Sequence, residues 1–286
     1  MHFPVMLGEC LDYLGVKPEG VYLDATAGLG GDTRAIAERL TSGTVIACDR
    51  DAESLAMARR NTADLAGKIR FYQVSFAGLE EMIETEGIPQ LDGLLADLGV
   101  SKYQLTEGER GFSLLADGPL DMRLDRSQKE TAADLVNFSS EKGLADLIYQ
   151  LGEERRSRKI ARAIVRARPI TTTGQLAKLI ESAAPRTEKI HPATRTFMAL
   201  RIAVNHELEE LDALLGSLPR LVKAGGRVVM VTFHSLEDRK VKQAFQALAR
   251  DGRTRILTRH VVRPSEEELR TNPPSRSAKL RAVEMV

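Results

Sequence analysis

Val21-Tyr22-Leu23-Asp24-Ala25-Thr26-Ala27-Gly28-Leu29-Gly30-Gly31-Asp32 decides the fold. A short apolar run ends in an acid, turns through Gly28, Gly30 and Gly31, and enters a helix-like pattern. That is the layout of a nucleotide-type cofactor loop between a strand and a helix. Glycine suits such a loop because it allows positive φ and brings backbone N–H groups close to a ligand with no Cβ in the way. An ordinary tight strand-to-helix turn uses glycine in the same way, so the ligand has to be read from the spacing.

A dinucleotide loop needs Gly-x-Gly-x-x-Gly, and the third glycine position is Thr33 here. Downstream, Thr44-Val45-Ile46-Ala47-Cys48-Asp49 is a second apolar strand that ends in an acid. A carboxylate at that tip offers only acceptors and suits the two hydroxyl donors of a ribose. The combination points to an adenosine ligand with no pyrophosphate to seat. S-adenosyl-L-methionine fits better than a nicotinamide dinucleotide, so an oxidoreductase is the weaker reading.

At 286 residues the chain exceeds the usual single-domain size, and one large domain with an insertion, or two domains, is expected. Apolar residues make up 43% of it, enough for a sizeable core. A net charge of +1 excludes a uniformly basic protein and leaves local patches open. The only cysteines, Cys10 and Cys48, have neither zinc-ligand nor disulfide spacing, which suits a reducing cytoplasm; Cys48 reads as a buried strand residue. The start, Met1-His2-Phe3-Pro4-Val5-Met6-Leu7-Gly8-Glu9, lacks a basic segment followed by a long apolar one, and no run reaches membrane-spanning length. A soluble, unprocessed, cytoplasmic protein with no membrane partner and no metal is expected.

Up to about residue 97 strands and helices alternate. Ala35-Ile36-Ala37 and Leu40 mark a helix stopped by Gly43, and residues 52–65 a second one; residues 69–74 and 91–97 are further strands, with a short helix near residues 79–83 between them. This order predicts a parallel, doubly wound α/β sheet whose ligand lies at the carboxyl ends of its strands, where Asp24, Asp49 and Asp97 all fall.

Residues 98–125 then show no sustained period, and a connection that long is usually functional or disordered. Phe112, Leu114, Leu115, Leu120 and Met122 give it apolar anchors. From Thr131 to about Ala184 the pattern is helical. Arg155, Lys159, Arg162 and Arg166 form one basic stripe there, with Ile160, Ile164 and Val165 facing away. Such a stripe is either a solvated face or a surface that follows RNA phosphates. A helix starts near Pro192 with Phe197, Leu200, Val204 and Leu208 on its buried side and Arg201 and Asn205 on another. The sheet resumes at residues 225–232. Ser235 and Asp238 then have capping-box spacing, and His234 stands just outside the cap as a strand-end histidine able to touch substrate. The basic residues 270–281 read as a flexible tail or as a second RNA contact.

Several segments together resemble the RsmH (MraW) family: Asp97-Leu98-Gly99-Val100-Ser101, Glu109-Arg110-Gly111-Phe112-Ser113, Pro119-Leu120-Asp121-Met122-Arg123, Lys189-Ile190-His191-Pro192-Ala193-Thr194-Arg195-Thr196-Phe197, Phe233-His234-Ser235-Leu236-Glu237-Asp238-Arg239 and Ser275-Arg276-Ser277-Ala278-Lys279-Leu280-Arg281. The similarity runs from His2-x-Pro4-Val5 to the last residues. It implies the Rossmann-like class I fold of S-adenosyl-L-methionine-dependent methyltransferases, with residues 1–108 and 200–286 as the methyltransferase domain and residues 109–199 as an inserted, mainly helical RNA-recognition domain. The implied reaction is methylation of the exocyclic N4 of a cytidine in the decoding region of 16S rRNA, within the small ribosomal subunit. A non-catalytic ribosome-assembly factor is the alternative.

The resemblance also implies cofactor contacts at Gly30 and Gly31, at Asp32 through its backbone, and at Asp49, Phe76, Asp97 and Gln104. The chain departs from the family in having Asp32-Thr33 where His-Ser is usual, and Lys102-Tyr103 where Ser-Pro is usual. Asp97 is also the candidate catalytic group, with the backbone carbonyls of the Leu98 to Ser101 turn as the alternative, because an acceptor on the N4 hydrogens would release the nitrogen lone pair. Phe112 is the candidate platform for the unstacked base.

Overall fold

The computed structural model describes residues 4–185 and 190–286, so His2 and Lys189 of the motifs above lie outside the described residues. The chain forms two compact units, Met1–Gly99 with Leu208–Val286, and Val100–Glu207.

The first unit opens with α1 (Leu7–Leu14), β1 (Val21–Asp24), α2 (Gly31–Arg39), β2 (Thr44–Asp49), α3 (Ala52–Asn61), β3 (Ile69–Gln73), α4 (Leu79–Thr85) and β4 (Leu91–Asp97). The second unit holds α5 (Lys102–Thr106), α6 (Ala132–Phe138), α7 (Glu141–Gly152), α8 (Ser157–Ala167), α9 (Thr173–Ala183) and α10 (Thr194–Val204). The chain then returns through α11 (Glu207–Leu221), β5 (Val222–Thr232), α12 (Ser235–Arg250), β6 (Thr254–Ile256), α13 (Glu266–Thr271) and β7 (Lys279–Met285).

Among the described residues the first unit carries a seven-stranded sheet in the order β3-β2-β1-β4-β5-β7-β6. The strands from β3 to β5 are parallel, while β7 runs antiparallel to both β5 and β6. Successive strand residues point to opposite faces, and both faces are covered. Leu23, Ile46, Leu94 and Val228 pack with Leu79, Leu214 and Phe245 on one side. Tyr22, Val45, Leu95 and Val229 pack with Leu11, Ile36 and Leu55 on the other. This is the Rossmann-like doubly wound sheet, and its strand order reverses between β1 and β4, which opens a crevice at their carboxyl ends.

Two local expectations change. Helix α3 stops at Asn61 because Thr62 leaves helical geometry at φ −120°, and residues 63–68 form a 3-10 helix instead. The basic segment 270–281 is not a tail: it takes in the end of α13, a 3-10 turn and the start of β7, and Arg281 and Lys279 both meet Asp238, at 2.7 and 3.4 Å.

The helical unit has its own core, which includes Leu120, Val136, Leu144, Ile148, Ile160, Ile164, Ile180, Phe197 and Leu200. Helix α10 runs through the boundary expected at residues 199/200 and lies wholly in this unit. Asn205, expected on an open side of that helix, is buried. Its Nδ2 donates to Met122 O and its Oδ1 accepts from Leu124 N, both at 2.7 Å, so it fastens part of the irregular segment. No helix of the described residues is long and apolar enough to cross a membrane.

Candidate cofactor site and nucleic-acid face

Asp24, the last residue of β1, is fully buried. Its Oδ2 accepts from Thr33 Oγ1 at 2.5 Å and its Oδ1 from Thr26 N at 3.1 Å. Thr26 Oγ1 in turn accepts from Asp97 N at 2.7 Å, so the loop after β1 is tied to the end of β4. Asp49 ties it to β2 as well: its Oδ2 accepts from Gly28 N at 2.8 Å and its Oδ1 from Asp51 N at 2.9 Å. Each Asp49 oxygen keeps a second lone pair for a ligand hydroxyl. Phe76 lies in the short 3-10 turn after β3, half-buried, and β3 itself is tied to Asp49 through Val74 N.

The glycines of the loop serve packing as well as any ligand. Gly30 caps α2 at φ +88°, and a Cβ there would come within 3.2 Å of Ala58. A Cβ on Gly31 would come within 2.5 Å of Pro4 Cγ. The N-terminal segment therefore lies directly on the start of α2, which the sequence reading, with Gly31 assigned to the cofactor loop alone, did not contain.

Charge is the distinctive property of this edge. Burial lifts the carboxyls of Asp24 and Asp49 to about 6, against the opposing pull of their backbone and side-chain donors. Asp32 is held well above the usual carboxylate range by burial and by Asp24, and Asp97 by burial and by Asp32, Asp24, Glu237 and Glu268. The charges that act on Asp97 here are carboxylates. One oxygen of Asp32 and one of Asp97 are buried with no hydrogen-bond partner. A buried acceptor left this way is costly, and a donor or a cation relieves it. The arrangement fits a ligand with a positive sulfur and an amino group and opposes the two negative charges of a pyrophosphate. Asp32 itself is a buried acid, with Thr33 beside it donating to Asp24.

Sequence reasoning missed Glu237 and Glu268. Glu237 Oε2 accepts from Phe233 N at 2.9 Å and His234 N at 3.2 Å, which makes His234 the cap of α12 and Glu237 its partner. The cap thus sits one residue earlier than the expected Ser235 and Asp238, and the His234 ring is engaged with Glu237 rather than open. The spacing of His234 and Glu237 was the available signal. Glu268 Oε1 accepts from Met6 N at 2.8 Å, a contact between the two ends of the chain that no local pattern announces.

In the helical unit Gln104 is buried and completes a capping box, its Oε1 accepting from Ser101 N at 2.8 Å. Phe112 is not a platform for a base. It is 5% exposed in the core with Leu120 and Met122, with the Arg110 guanidinium over its ring. Leu115, expected to anchor the same segment, is fully exposed. On α8 Ile160 and Ile164 are buried, Val165 is half-buried, and Lys159, Arg162 and Arg166 are exposed. Arg158, absent from the expected stripe, joins them, and Arg155 is exposed just before the helix. Arg162 pairs with Glu141 at 3.4 Å.

Comparison with known proteins agrees with this fold. The chain is 59% identical over 285 residues to the Ribosomal RNA small subunit methyltransferase H of Solibacter usitatus, with all of both chains covered. It is 51% identical to that of Acidobacterium capsulatum, covering 99% of this chain and 98% of the relative. A putative rRNA-methylase from Clostridium thermocellum has a similar fold, with a TM-score of 0.52 at 12% identity over all of both chains. The model of the MraW methylase family matches residues 1–286, so the chain belongs to that family of methyltransferases, with S-adenosyl-L-methionine as its cofactor.

Proposed function

We propose that the protein methylates the exocyclic N4 of a cytidine in the decoding region of 16S rRNA, in the cytoplasm, with the small ribosomal subunit as its substrate. The names of its close relatives support the ribosomal substrate. The observation that carries the chemistry is the half-buried Asp97 at the end of β4, one oxygen of which has no partner.

When bound, S-adenosyl-L-methionine supplies a methyl group on a positively charged sulfur. Gly30, Gly31 and the backbone of Asp32 would hold it, Asp49 would take the ribose hydroxyls, and Phe76 and Asp97 would serve its adenine and its cationic part. Gln104 is included on the family resemblance. The amino nitrogen of cytosine is a poor nucleophile, because its lone pair is delocalised into the ring. Asp97 accepts a hydrogen bond from that amino group, favours a pyramidal nitrogen and takes up the proton the nitrogen loses after methylation. The backbone carbonyls of residues 98–101 are the alternative acceptors. The protein otherwise works by alignment. The helical unit holds the RNA, with the exposed cations of α8 on its phosphates.

Small subunits from cells lacking the enzyme, incubated with the protein and labelled cofactor, test this directly. The label should map to one decoding-region cytidine, as N4-methylcytidine by mass spectrometry of the digest. Label at another atom or another base sinks the assignment, and no label favours a non-catalytic assembly factor.

A further inference from the structure

Phe138 ends α6 and is 82% exposed, although Val136, two residues before it, is fully buried. The backbone around this ring is held firmly. One guanidinium, that of Arg168, donates to the carbonyls on either side of it, to Val136 O at 2.7 Å and to Ser139 O at 2.6 Å. The adjacent Asn137 exchanges two hydrogen bonds with Ile170, at 2.7 and 2.8 Å. Ser140 then caps α7 by accepting from Gly143 N at 3.0 Å. The ring is thus presented to solvent by a clamped turn.

The turn is joined to the basic helix α8 at two points, through the guanidinium of Arg168, which follows the last residue of that helix, and through Glu141, three residues after Phe138, which pairs with Arg162. Arg166 stands one turn beyond Arg162 on the same helix. An apolar peptide would need a wider apolar surface than one ring. A nucleotide combines the two properties required, a flat base for the ring and a phosphate for the cations.

We propose that Phe138 is a stacking platform for one unpaired nucleotide of the ribosomal RNA, whose flanking phosphates contact Arg162 and Arg166. This rests on the RNA-methylating function above and adds to it a contact carried by the helical unit alone.

The chain contains no tryptophan, so Phe138→Trp places a single indole at the platform. Its fluorescence should be quenched by a short single-stranded RNA and not by a duplex of the same sequence. Phe138→Ala should bind that oligonucleotide and protein-free 16S rRNA about five- to hundredfold more weakly, while Phe138→Trp keeps wild-type affinity. Cofactor affinity and the melting temperature should be unchanged in both, since the side chain is exposed. Wild-type RNA affinity in Phe138→Ala together with an unquenched indole overturns the platform. Weakened binding to assembled subunits alone, with protein-free rRNA bound normally, also overturns it, since the partner would then be a ribosomal protein. A wild-type enzyme that fails to methylate small subunits refutes the proposed function and leaves the quenching result to stand by itself.

Discussion

The carboxyl edge of the sheet and the outer face of α8 treat charge in opposite ways. At the sheet edge Asp24 and Asp32 are buried, Asp49 and Asp97 half-buried, and acid meets acid. On α8 the like charges of Arg158, Lys159, Arg162 and Arg166 stand in water. Removing a carboxylate from water costs several kcal/mol unless something compensates it, whereas an exposed lysine or arginine costs almost nothing to keep. The difference teaches how much each region says about function. The buried acids favour a ligand that brings donors or positive charge, while the exposed cations only permit a negative one, and it takes a second feature such as Phe138 to give them direction.

The largest expected effect sharpens what belongs to core and what to surface in the helical unit. Phe112→Ala should lower stability by about 3 to 5 kcal/mol, the usual cost of removing a buried aromatic ring. Chemical denaturation measures it. A fully stable variant with impaired RNA binding would return Phe112 to the surface role that its burial denies.

At the sheet edge, Asp49→Ala removes the carboxylate proposed to accept from the ribose and frees Gly28 N. Cofactor binding should weaken by roughly 1.5 to 3 kcal/mol for each charge-assisted hydrogen bond removed. Calorimetry giving wild-type affinity would take Asp49 out of the site.

The raised carboxyls make a pH prediction whose sign differs from the common paired aspartate. With Asp24 and Asp49 at about 6 when folded and 3.8 as free carboxyls, the folded state binds more protons between those values. Their contribution to stability is therefore complete below 3.8 and is lost as the pH rises through about 6. The cationic cofactor prefers the ionised acids, so its affinity should rise over the same window, by up to about tenfold per pH unit for each proton released. Thermal melts with and without cofactor at about pH 5 and about pH 7 report both trends. Affinity independent of pH would mean that the ionisation of these carboxyls is not coupled to cofactor binding.

The smallest effect is on the α8 side. Neutralising Arg155, Lys159, Arg162 and Arg166 together should flatten the salt dependence of RNA binding by about 0.7 to 0.9 in log–log slope for each phosphate that the variant no longer neutralises. Cofactor affinity should stay unchanged. An unaltered slope would make the stripe a solvated face and nothing more.

What the sequence disclosed follows the range of the interactions involved. The acids at the strand ends, the loop glycines and the buried side of α8 follow from local periodicity, because strand and helix repeats register within a few residues which side chains meet the core. Phe112 was misread because its burial depends on Leu120, Met122 and the helices around them, while the segment that carries it has no period of its own. Asn205 has the spacing of an open helix face and is buried by Met122 and Leu124, more than eighty residues earlier in the chain. The basic C-terminal residues read as a tail by composition, yet β7 is sealed into the sheet by β5 and β6. Glu268 joins the acids only because α13 returns to Met6.

Asp97 is the sheet-edge acid proposed to act in the chemistry, and single-turnover methyl transfer by Asp97→Asn, with cofactor and small subunits both saturating, tests the account most directly. The substitution keeps the size and one acceptor and removes the charge. Turnover should fall tenfold or more, each ~1.4 kcal/mol of lost transition-state stabilisation being a factor of ten in rate. A variant with full turnover at saturation, and only a raised cofactor requirement, would contradict a role in the methyl-transfer step and leave Asp97 as a binding residue.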